Sequence, residues 1–189
     1  MSIVDVYHVG AQEDILATLQ HRSGLKWSTE ADDWLGHGIY FWEDPSWAEC
    51  WYVERWVERS DTRSGSILAA KIETELLLDL GNRNDSKTFQ EEANLAMLSI
   101  QRWGRPPQND PANLCFSLDC AVANSVQTAL QGSRKYGIRM PFFLGPSITK
   151  DGNFYANQHL QICLWNMEIL RDVRLLPAQP DRLSLADFL

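Results

Sequence analysis

Hydrophobic and polar positions change period several times along the chain, and each change marks an element. Ile3 to His8 alternates as a first strand does, and Gly10 is expected to break it. About Gln12 to Gln20 then sets Ile15, Leu16 and Leu19 on one helical face. His21 to Asp33 is polar and turn-rich, a loop. Ile39 to Trp42 is a short apolar run of β-branched and aromatic residues, the pattern of a buried strand. Asp44-Pro45-Ser46 ends it, with Ser46 as the expected N-cap of a helix to about Val57. Trp47, Trp51 and Trp56 fall on that helix, and its Trp and Val positions recur at three- and four-residue steps, so most of these rings are assigned to the core.

The charged turn Ser60 to Gly65 precedes a strand from Ser66 to Ile72. Leu76 to Leu80 is another short strand or a turn, with Asp79, Asn82, Asn84 and Asp85 marking the exit. Helical periodicity runs from Lys87 to Trp103, stopped by Gly104-Arg105-Pro106-Pro107, and again from Asn113 to Leu130. From Gly137 the pattern returns to strands: Ile138 to Leu144, His159 to Trp165 and Val173 to Leu176. The loop from Gly145 to Gly152 separates the first two, and Leu183 to Leu189 is a loose tail or a docked last turn. Strand-rich ends around a helical middle favour an α+β domain over a doubly wound one.

Composition narrows the function classes. With 189 residues, 44% of them hydrophobic, the chain is long enough for one well-buried core, and a single domain over residues 1–189 is expected. A net charge of −8 argues against a broad electrostatic footprint on nucleic acid, though not against a nucleic acid gripped locally. Cys50, Cys115, Cys120 and Cys163 have neither the close pairing of a zinc site nor the context of a disulfide framework, and are expected to be reduced core thiols. No His, Cys and acid set has metal spacing, so no metal is expected. The N-terminus lacks a basic segment followed by a long apolar run, which points to a soluble, cytoplasmic protein with no membrane partner.

The densest chemistry lies in Asp33-Trp34-Leu35-Gly36-His37-Gly38-Ile39-Tyr40-Phe41-Trp42-Glu43-Asp44. Its two glycines permit unusual backbone or very close approach. A tight turn, a strand carrying Tyr40 and a following helix make a wall for a flat ring, or else an ordinary turn into a core strand. Set beside Tyr7-His8-Val9-Gly10 and His159-Leu160-Gln161-Ile162-Cys163, this stretch resembles the ADP-ribosyltransferase superfamily, in its diphtheria-toxin-like and poly(ADP-ribose) polymerase-like branch. That branch has a histidine ending the first strand, Gly-x-Gly-x-Tyr-Phe on the next, and a glutamate or substitute opening a later one.

The resemblance implies a split β-sheet core, with helices inserted between the N- and C-terminal strand regions, and an NAD-binding cleft. His8, Tyr40 and Gln161 would occupy the three signature positions. His8 would bond a ribose hydroxyl, Tyr40 would stack on nicotinamide, and the main chain of Val9 and Gly10 would meet the carboxamide. Two departures stand out: Val9 follows the histidine where glycine is usual, and Gln161 replaces the usual glutamate. A carboxylate there holds the 2′-hydroxyl and offsets the charge of an oxocarbenium-like ribose, whereas glutamine does only the first. Glu43 is the candidate assisting acid, with Asp151 behind it.

The remaining candidates stay open between two roles. Ser28 and Thr29 are contacts to ribose or phosphate, or hydroxyls bonding their own backbone. Arg139 holds pyrophosphate or acceptor through its forked donors, or forms a surface ion pair. His37 points outward or helps at the site, and His159 neighbours the cleft. The activity implied is mono-ADP-ribosyl transfer from NAD, as co-substrate, to a protein or nucleic acid, with toxin or defence roles and an inhibitor protein suggested by family analogy. NAD glycohydrolysis and non-catalytic binding of NAD or ADP-ribose are the alternatives.

Overall fold

In a computed structural model that describes residues 2–21, 24–31, 33–58, 64–110, 115–143 and 158–176, strand β1 (Ile3–Ala11) buries Val6, Val9 and Ala11. It runs past the expected break: Gly10 is paired opposite Ser66 and does not end the strand. Helix α1 (Gln12–His21) follows at once, with Glu13 and Asp14 in the first turn, charges that suit the helix dipole. Its inward positions are Ile15 and Thr18, while Leu16 is exposed, because a neighbour in sequence lies about 100° around the helix. Thr18 is satisfied by donating its hydroxyl proton to Asp14 O at 2.8 Å.

Strand β2 (Ile39–Trp42) has the expected bounds. Helix α2 (Pro45–Tyr52) is capped by Asp44, not Ser46: its carboxylate accepts from Ser46 N at 2.9 Å, and Pro45 supplies a first helical position that needs no N–H. The chain continues as a π-helical turn over Val53–Glu58. Strand β3 (Gly65–Glu73) is buried from Ser66 to Ala70. A 3₁₀ turn leads to the short β4 (Leu78–Asp79).

Helix α3 (Arg83–Ile100) begins four residues before the periodicity suggests. The Asn82 side chain accepts from Asn84 N and Asp85 N, so residues that resemble a turn exit are a cap and a first helical turn. The converse holds at α4 (Ser117–Ala129), which starts later than expected because Cys115–Phe116 (β6) pairs with Asn109–Asp110 (β5). Strands β7 (Gly137–Phe143), β8 (Gln158–Leu164) and β9 (Arg171–Leu176) follow. The expectations for Asp151 and for Leu183 to Leu189 fall outside the described residues.

The protein is α+β. Seven strands form one mixed sheet in the order β4-β7-β8-β2-β1-β3-β9, with only β4 and β7 parallel. Its two blocks are joined unequally. β1 and β3 pair along nine residues, from Ile3↔Glu73 to Ala11↔Gly65, whereas β1 and β2 share the single pair Tyr7↔Trp42. Directly opposed residues share a face. Val6, Leu68, Phe41 and Ile162 therefore pack with Ile15 of α1 on one side. On the other side Cys163 and Ile138 pack with Ala123 and Val126 of α4, and Val9, Trp42 and Ile67 pack with Ala48 of α2.

Candidate functional site

The junction between the two blocks is where the first candidate sits. One residue beyond Tyr7↔Trp42, the His8 side chain spans the gap between β1 and β2, with Nδ1 2.8 Å from the Tyr40 main-chain oxygen. A carbonyl only accepts, so Nδ1 carries the proton and the neutral ring leaves Nε2 as an acceptor. Burial pushes the His8 pKa down, against an upward pull from the Tyr40 bond, which keeps the ring neutral near pH 7. Gly10 makes room for this ring: a Cβ there would lie 3.1 Å from His8 Nε2. The Val9 side chain is 7% exposed and packs with Trp42, Ala48 and Ile67.

Tyr40 and Gln161 are tied to one loop. Ser28 N donates to Gly38 O at 2.8 Å and Gly38 N returns a bond to Ser28 O at 3.1 Å, closing residues 28–38 at their base. Inside, Ser28 Oγ donates to Asp33 Oδ1 at 2.9 Å, and Gly36 N donates to Asp33 O at 2.7 Å. The Tyr40 hydroxyl accepts from Leu35 N at 3.0 Å and donates to Gly36 O at 2.9 Å. Burial raises the Tyr40 pKa, so the phenol keeps the proton it donates.

The expected special backbone is found at Gly36, where φ is +82° and a Cβ would lie 2.8 Å from Asn124 Oδ1. That same oxygen accepts from His37 N at 2.7 Å, which pins the loop to α4. Gly38 is required by proximity: a Cβ there would lie 2.5 Å from Cys163 Sγ. Burial pushes the Cys163 thiol pKa up, leaving it an inert packing group.

Trp34 completes the constellation. Its indole Nε1 donates to Gln161 Oε1 at 2.7 Å, and its ring lies 4.2 Å from that of Phe142 on β7. Gln161 is opposite Trp42 on β2 and Met140 on β7, and Tyr40 is opposite Cys163, so both candidates share the face covered by α4. His8 is opposite Leu68, with its ring 5.4 Å from that of Phe41, and so lies on the other face; it meets this pair only at the Tyr40 main-chain oxygen.

Glu43 and Arg139 do not join this group. Arg139 Nε and Nη2 both donate to the Glu43 carboxylate, the latter at 3.0 Å, and Arg139 Nη1 donates to Asp79 Oδ2 at 2.7 Å. Arg139 is opposite Ile162, on the sheet face away from Gln161. Its pKa is raised, mainly by the Glu43 bond, and its fork is filled by two carboxylates. As placed, the expected assisting acid is neutralised, and the expected phosphate ligand is one half of an ion pair that knits β2, β4 and β7. Ser28 is likewise occupied by Asp33. Thr29 is exposed. His159 is buried, with its ring 4.4 Å from that of Trp47 and 5.4 Å from that of Phe142.

Sequence reasoning did not single out Trp34, Asp33, Asn124 or Asp79. Trp34 lies within the densest stretch, and its buried-type donor was a signal that it needs a partner; the other three had none. Among the described residues no cluster of three His, Cys, Asp or Glu side chains is arranged to hold a metal, and no helix is long and apolar enough to cross a membrane. The four cysteines are free thiols. The chain matches no protein-family model, no curated protein and no solved structure.

Proposed function

We propose that this chain binds NAD where β1 and β2 part, and that it is a mono-ADP-ribosyltransferase whose acceptor is a protein or a nucleic acid. The observations that carry the reading are that Tyr40 and Gln161 are both tied to the loop of residues 28–38 on one sheet face, and that His8, on the other face, is bonded to the Tyr40 carbonyl where β1 and β2 share a single residue pair. A dinucleotide needs flat apolar walls for its rings and directed bonds for its sugars and amide. His8 Nε2 would accept from a ribose hydroxyl. The Tyr40 ring would face nicotinamide while its hydroxyl stays in the loop.

In the reaction, the bond between ribose C1′ and the nicotinamide nitrogen breaks and its electron pair leaves with nicotinamide, which becomes neutral. A lone pair of the acceptor forms the new bond at C1′, and the acceptor's proton passes to solvent. Gln161 brings no charge to the oxocarbenium-like sugar, and Glu43 is matched by Arg139. Lacking such an electrostatic stabiliser typically slows a step by about 10²–10³. Turnover is therefore expected to be slow.

The same two facts support a second reading, a non-catalytic NAD or ADP-ribose binding module. Adenylate-labelled NAD incubated with the purified chain and with protein or RNA acceptors separates the readings. Label on an acceptor with equimolar nicotinamide release supports transfer. Free ADP-ribose identifies a glycohydrolase, and calorimetric binding without turnover identifies the module. Absence of any NAD binding would sink all three.

A further inference from the structure

The Trp34–Gln161 contact fixes more than a distance. An indole N–H can only donate, so the Gln161 atom 2.7 Å from Trp34 Nε1 is the amide oxygen. The amide NH₂ is thereby turned the other way, and among the described residues no group is bonded to it. Trp34 itself is held on both sides. Its ring is seated 4.2 Å from Phe142, and the loop that follows it is bound through Leu35 N and Gly36 O to the Tyr40 hydroxyl and through His37 N to Asn124. Such support from packing and further hydrogen bonds is what locks a side chain in one orientation.

We propose that Trp34 is a positioning residue that makes position 161 an obligatory hydrogen-bond donor, so that this site takes a ligand presenting an oxygen lone pair there, such as a ribose hydroxyl or phosphate oxygen acting as acceptor. The identity of that ligand as NAD rests on the function proposed above; the orientation of the amide does not. One consequence separates this site from one built around glutamate. A carboxylate at position 161 would accept from Trp34 and offer the ligand only further acceptors, so restoring the acid weakens binding.

The experiment has two arms. In ¹H–¹⁵N spectra of the intact chain, the Trp34 indole resonance is identified by its loss in Trp34→Phe. It is expected to lie downfield and exchange slowly, and to move upfield and exchange faster in Gln161→Met, which keeps length and volume but cannot accept strongly. An unmoved resonance overturns the proposal whether or not NAD binds. In the second arm, calorimetry at pH 7.5 is expected to show Gln161→Glu binding NAD about tenfold more weakly than the parent, the worth of one hydrogen bond. Part of that affinity returns as the pH falls through the carboxyl range and the side chain regains a donor. Equal or tighter binding by Gln161→Glu at pH 7.5 overturns the donor assignment. A parent chain that fails to bind NAD defeats the proposed function, and the indole resonance then decides the role of Trp34 by itself.

Discussion

The two neighbours of β1 are built on opposite principles. Toward β3 it is zipped along nine residue pairs, and the side chains between them, Val6, Leu68, Ala70 and Ile72, are fully buried. Toward β2 it has one pair, and beyond that pair the His8 imidazole is bonded to the Tyr40 carbonyl. Backbone ladders satisfy their own polar groups and leave nothing to offer a ligand. A seam closed by a side chain leaves Nε2 of His8 as an acceptor. The zipped side is held by its backbone ladder and core, the seam is where the proposed site lies, and the two can be perturbed separately.

The sharpest separation comes from the zipped block. Ile72→Ala is expected to lower unfolding free energy by about 2–5 kcal/mol, the range for emptying a packed aliphatic site, and to leave NAD affinity of the folded fraction unchanged. A urea titration alongside calorimetry measures both, and a parallel loss of affinity would mean the blocks are not independent. Next is the ion-pair knot on the far face. Arg139→Met leaves Glu43 and Asp79 facing each other without their cation, at a cost of about 3 kcal/mol. Adding Glu43→Gln and Asp79→Asn is expected to recover much of it, and NAD binding by the triple variant marks Arg139 as structural; its abolition would restore Arg139 as a ligand contact.

Changes in the seam are smaller in stability and larger in function. Gly36→Ala places a Cβ against Asn124 in left-handed backbone, for about 1–3 kcal/mol, and is expected to unseat the loop and lower NAD affinity far more than Ile72→Ala does. Proteolysis within residues 28–38, faster in the variant, would report the unseating. The smallest effect is that of His8, at about 1 kcal/mol. Its folded pKa lies below the unfolded value of about 6.5, so the unfolded chain binds the proton more readily. The stability it contributes is present above pH 6.5 and is lost as the pH falls through the lower folded value. The difference in unfolding free energy between the parent and His8→Gln should therefore shrink on acidification; a difference constant from pH 8 to 5 would place the proton elsewhere.

How much of this was legible in the chain depends on the range of the interaction. Strand β2 has the bounds its residues suggest, because Gly36, Gly38 and Asp44-Pro45 bracket it with local backbone chemistry. The start of α3 was less legible, since Asn82, Asn84 and Asp85 serve equally as turn residues and as a cap, and only the Asn82 bonds decide. His8, Tyr40 and Gln161 were legible as candidates, but their company was not. Trp34 and Gln161 are 127 positions apart, and Glu43 and Arg139 are 96 apart.

The amino-acid sequence by itself determined where the chain turns, which stretches are strands or helices, and which residue types gather near the glycines. These follow from backbone conformation and from the period of apolar positions, both properties of a few neighbouring residues. Only the tertiary structure decided that β1 is zipped on one side and seamed on the other, that the Glu43 charge is matched by Arg139, and that the Gln161 amide turns its NH₂ away from Trp34. A hydrogen bond or an ion pair is settled by which donor comes within about 3 Å of which acceptor, and that distance is created by the fold.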